Sequence, residues 1–185
     1  MVYKRLDALQ LTKYRDGDML MLNRTVSLGR YFCKEGNGMD KTLTLDHGSS
    51  LIIERPQFGK GNPFNDYGLG FYCTETLELA KEWACSMEQD GFANRYSFQT
   101  DGLSILNLSD GKYNILNWLS ILLMNRKFNL SSDIAVQGKE SLASTFLPPY
   151  ENYDAIIGYR SDASYFSSAS AFLYNTISLP QLARP

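Results

Sequence analysis

Apolar residues recur along the chain at several spacings, and each spacing predicts a different element. Alternation marks 43–45, where Leu43, Thr44 and Leu45 lead into His47-Gly48-Ser49, and 94–99, where Tyr96 and Phe98 share a face. A period of two is the mark of a strand. Short apolar runs at 71–73 (Phe71, Tyr72, Cys73), at 103–108 (Leu103, Ile105, Leu106, Leu108) and at 153–159 predict three more strands, the last of them buried. Helical spacing joins Leu77, Ala80, Lys81 and Ala84 behind a cap at Thr74. It also joins Ile115, Leu116, Trp118, Leu119, Leu122 and Leu123 behind Asn114, in a stripe wide enough to demand burial. A further helix is expected over 132–142, and another begins at 161–164 and runs through Tyr165, Phe166, Phe172, Leu173 and Tyr174.

Ahead of these elements, 1–40 reads as a helical segment of two short helices. Leu6, Leu9, Leu11 and Tyr14 suit the first. Met21, Leu22, Val26 and Phe32 suit a second over 19–32, set off by turns at Asp16-Gly17-Asp18 and Gly36-Asn37-Gly38. Such a pair could be a helix-turn-helix DNA module, but the second helix lacks the basic face that a groove requires. Gly, Pro and Asn crowd 56–66, which predicts an irregular loop, and 129–150 is loop-rich as well.

Length and composition narrow the picture. A chain of 185 residues with 44% hydrophobic and 21% charged residues can build one good core and is unlike a disordered chain. The net charge of -2 gives no electrostatic footprint for duplex nucleic acid, although it leaves open a nucleic acid that is covalently modified in a transient encounter. Cys33, Cys73 and Cys85 are odd in number and widely spaced, so neither a disulfide framework nor a metal site is expected. The longest apolar stretch, 115–124, is broken by Asn117 and Ser120 and reaches about half the length of a membrane span. The expectation is a cytoplasmic protein with no membrane partner.

The candidate chemistry sits in 43–84. His47-Gly48-Ser49 ends one strand, Gly68-Leu69-Gly70-Phe71-Tyr72 leads into the next, and Trp83 stands eleven positions past Tyr72. This order resembles the ADP-ribosyltransferase fold in its poly-ADP-ribose-polymerase-like branch. The longer pattern, which continues into YDAIIGYRSDASYF at 153–166, resembles a bacterial family of that fold known as domain of unknown function 3990 (DUF3990), over roughly 41–182.

The resemblance implies an α+β architecture with an ADP-ribosyltransferase-like split β-sheet core: two packed antiparallel sheets around an NAD cleft, with a helical N-terminus and a helical insertion. The domain would span 41–185. The implied function is NAD-dependent ADP-ribosyl transfer to an intracellular protein or nucleic acid, with NAD as substrate, in the setting of a toxin with its antitoxin or of phage defence. The alternatives are an NAD-binding pseudoenzyme or interaction module, and an NAD glycohydrolase.

By that resemblance His47 bonds the adenosine ribose, Gly48 offers its backbone to the nicotinamide amide, and Ser49 steadies a ribose hydroxyl. Tyr72 and Trp83 stack on the nicotinamide ring, and the imidazole and the phenol face each other over the dinucleotide. Gly70 permits close approach, and Arg55 or Lys60 meets the diphosphate. Each residue also has a plainer reading: a structural histidine, a turn serine, two core aromatics, a solvated charge.

The family's third motif, a strand opening with Glu, is not found before Pro185. Either that strand is missing from this chain or another acid serves. Asp162 is the first candidate, with a helix cap as its plainer role, and Glu140 and Glu151 come after it.

Overall fold

The computed structural model describes residues 19–22, 42–85, 89–160 and 163–183. The described chain is α+β. Six strands, β1 (Met19–Leu22), β2 (Thr42–Ser49), β3 (Phe71–Thr74), β4 (Phe92–Gln99), β5 (Ile105–Asn107) and β6 (Ala155–Gly158), form one sheet in the order β4-β2-β3-β1-β6-β5. All neighbours are antiparallel except β5 and β6. The helices are α1 (Leu77–Ala84), α2 (Ile115–Asn125), α3 (Asp133–Phe146), α4 (Ala163–Leu173) and the short α5 (Leu179–Leu182).

Two expectations are corrected here. The helix predicted over 19–32 begins instead as β1, which lies between β3 and β6 in the middle of the sheet; the rest of 1–40 lies outside the described residues. The two packed sheets are one sheet, nearly divided. All eight residues of β2 are in register with β4, yet β2 meets β3 only at Asp46 opposite Thr74. Past Asp46 the β3-side edge of β2 carries no ladder.

Alternation along the strands sorts the core into two clusters on opposite faces of the sheet. On the helical face, Leu106 of β5 and Ile156 of β6 pack with Trp118, Leu119, Ile121, Leu122 and Leu123 of α2 and with Ala169 and Leu173 of α4. On the other face lie Leu45, Cys73, Phe98, Ala155 and Ile157, with Leu43, Phe71, Leu103 and Ile105 beside them. Full burial of one such leucine or isoleucine contributes roughly 1.5–3 kcal/mol.

Helix starts follow local chemistry. Asn114 Oδ1 accepts the Leu116 N–H at 2.9 Å, while Asn117 Oδ1 accepts the Asn114 N–H at 2.8 Å, so both side chains satisfy free donors at the start of α2. Ser132 caps α3 by accepting from the Ala135 N–H. Thr74 does not cap α1: it closes β3, and the helix starts after Thr76. The predicted helix over 132–142 is present and runs on to Phe146. Among the described residues no helix is long and apolar enough to cross a membrane, and no group of three metal-binding side chains gathers.

Candidate functional site

The site begins with the geometry of β2 at His47, Gly48 and Ser49. Backbone N–H and C=O groups turn to alternate edges along a strand. With β4 on one side and no β3 ladder on the other beyond Asp46, this segment presents backbone polar groups to an open edge.

His47 partly closes that opening. Its Nδ1 lies 2.6 Å from the Tyr72 carbonyl oxygen, and its ring lies 4.4 Å from that of Phe71. A carbonyl can only accept, so Nδ1 carries the proton and the neutral ring leaves Nε2 as a bare acceptor. Burial pulls the imidazole below its ordinary value, against the opposing pull of the Tyr72 carbonyl, and so favours this neutral form.

The loop after β2 is pinned beside His47. Asn94, opposite His47 on β4, accepts the Ile53 N–H at 2.8 Å and donates to the Leu51 carbonyl at 3.1 Å. The Tyr96 hydroxyl donates to the Ile53 carbonyl at 2.6 Å, and its ring meets Phe71 edge-on.

Gly48 faces the helical side, under α1. A Cβ there would meet the Ala80 carbonyl oxygen, the Ala84 nitrogen at 2.6 Å and the Trp83 Cβ at 2.7 Å. The glycine is required by helix packing, whatever else its backbone does. Trp83 is thereby held against the open segment of β2. Among the described residues its buried indole N–H meets no acceptor, and the Arg160 guanidinium lies 5.2 Å from its ring centre.

Tyr72 does not face His47. The pairing of Asp46 with Thr74 puts position 72 on the face of Gly48 and position 47 on the face of Cys73. The only bond between the two residues runs from the imidazole to the Tyr72 backbone. The phenol donates to the Gly68 carbonyl at 2.5 Å and receives the Tyr67 N–H at 3.3 Å, which ties β3 to the loop before it. Burial raises its pKa, so it stays protonated. Gly68 has φ +84°, a left-handed conformation that suits glycine, and a Cβ there would strike Asn125 Oδ1.

The other expected residues are scattered. Ser49 Oγ accepts the Leu51 N–H at 3.2 Å, as a turn serine does. Gly70 is buried just before β3. Arg55 and Lys60 stand exposed on the 54–64 loop. Glu140 and Glu151 are exposed on α3 and on the turn after it, and Asp162 lies outside the described residues.

Asn94, Arg160 and Asp66 escaped the sequence reading. Asp66 is buried, 3.7 Å from Arg126, and close enough to raise the Tyr72 pKa by its charge. A signal existed for Asn94, a polar residue in the row that continues as Tyr96 and Phe98. For Arg160 and Asp66 only tertiary proximity reveals a role.

Neither a curated protein nor a solved structure matches the chain. A family model does match, over residues 43–184, which includes every described element except β1 and the first residue of β2. The chain therefore belongs to the family described as Protein of unknown function (DUF3990).

Proposed function

We propose that the open edge of β2 binds NAD and that the protein is an ADP-ribosyltransferase acting on an intracellular protein or nucleic acid. One observation carries the reading: the β2–β3 ladder stops at Asp46, just before His47-Gly48-Ser49, so that unladdered backbone lies between an imidazole with a free acceptor nitrogen on one face of the sheet and Trp83 on the other. In this arrangement His47 Nε2 accepts from the adenosine ribose, the Gly48 segment pairs with the carboxamide, and Trp83 takes the nicotinamide ring. The dinucleotide then passes along the strand edge from one face of the sheet to the other. Tyr72 acts as a floor under the site through its carbonyl and its tie to Gly68.

Loss of nicotinamide leaves an oxocarbenium-like centre, which requires a nearby negative charge. Among the described residues, buried Asp46 is held by Arg95 through two hydrogen bonds and Asp66 lies 3.7 Å from Arg126, so the charge of each is already met by a guanidinium. That favours, as a second reading, a module that holds NAD without turnover, unless Asp162 supplies the acid.

The two readings separate when the purified protein is incubated with adenylate-labelled NAD and cell lysate. Transfer predicts label on a macromolecule and release of free nicotinamide. A binding module predicts only a rise in melting temperature with NAD. Absence of label, nicotinamide and stabilisation overturns both.

A further inference from the structure

Arg160 follows β6 and is exposed, and its guanidinium lies 5.2 Å from the centre of the Trp83 ring. Among the described residues no carboxylate pairs with it, and no acceptor takes its N–H groups. Contact with an aromatic face uses the charge of a guanidinium but none of its five donors. A permanent cation with its donors unspent therefore sits on the indole.

The second unspent donor belongs to that same indole. Trp83 Nε1–H is buried with no acceptor among the described residues, an arrangement rare enough in folded proteins to point to an absent partner. A charged fork and a neutral N–H on adjoining groups suit an oxyanion, which a guanidinium binds through two parallel hydrogen bonds. The Trp83 Cβ also packs on Gly48, so Trp83 stands over the segment of β2 that carries no β3 ladder. Arg55 and Lys60, expected at the diphosphate, stand on the exposed loop without such a setting.

We propose that Arg160 and the Trp83 indole N–H form an oxyanion subsite that takes a phosphate group of the bound dinucleotide. The inference rests on the NAD reading for the identity of the ligand, though not for its charge. Arg160 leaves the Trp83 face as the ligand ring arrives and closes on the phosphate, exchanging a cation–π contact for charge-assisted hydrogen bonds.

Calorimetric titration of the full chain and of R160Q and R160K tests this with NAD, ADP-ribose, inorganic pyrophosphate and nicotinamide riboside, which lacks the diphosphate. R160Q is expected to weaken the three phosphate compounds about tenfold or more and to leave nicotinamide riboside within about twofold. R160K is expected to recover part of the loss, because it restores the charge without the fork. Since Arg160 is exposed, the melting temperature of R160Q serves as the control for folding.

If R160Q binds all four ligands like the parent, or loses all four by the same factor, the subsite is refuted while NAD binding stands. If the parent binds pyrophosphate through Arg160 but does not bind NAD, the subsite stands and the dinucleotide reading falls. If the parent binds no phosphate compound, the subsite falls as well.

Discussion

Replacing Gly48 by alanine separates the packing role of that position from any role toward a ligand. The added methyl would meet the Ala80 carbonyl oxygen, the Ala84 nitrogen at 2.6 Å and the Trp83 Cβ at 2.7 Å. All three belong to the α1 backbone or its first side-chain atom, so no rotamer change relieves them. The helix must retreat, and it rests on Ala80 and Ala84, which are buried and lack long side chains that could bridge a gap. Over-packing of this kind costs about 3 kcal/mol, the upper end of its usual range, because the neighbours cannot yield. For a chain of this size that lowers the melting temperature by roughly 6–12 °C. Thermal unfolding followed by circular dichroism reads the shift. A change under about 2 °C would show that α1 does not press on β2, and the placement of Trp83 beside the open edge would fail with it.

Three further outcomes follow from the same geometry. Asn94→Ala removes the partner of the Ile53 N–H and of the Leu51 carbonyl; it should cost about 1–2 kcal/mol in urea unfolding and speed amide exchange at Ile53, whereas unchanged exchange would mean that Asn94 does not hold the loop. His47 is the only histidine, so its ring protons give one NMR titration, whose midpoint should fall below 6.5; a midpoint at or above 6.5 refutes the buried neutral ring. Because the folded value is depressed, the unfolded chain takes the proton first, so stability is full above pH 6.5 and declines as pH falls through the folded value.

The elements legible in the sequence were those whose pattern is local. Asn114 with its apolar run announced α2, and the run 153–159 announced β6, because cap chemistry and a buried strand both write themselves into a few consecutive residues. β1 did not: Met19 to Leu22 are four apolar residues without alternation, and four residues do not distinguish a central strand from a turn of helix. At the site, His47 and Gly48 were found by motif, but the face each presents depends on register. The pairing of Asp46 with Thr74, which turns Tyr72 away from His47, is a contact between segments 28 positions apart and leaves no local trace. Gly48 carries a lesson of its own: the motif suggested a glycine kept open for a ligand, and the structure adds a helix pressed against it.

The central claim is that the edge of β2 left open past Asp46 is where a dinucleotide binds. Titration of NAD into the 15N-labelled protein tests it directly. The account predicts saturable shifts centred on the amides of His47, Gly48 and Ser49, on the Trp83 indole N–H, and on His47 Nε2 as it accepts a hydrogen bond. Saturating NAD that leaves these signals in place, or shifts only signals remote from them, would contradict it.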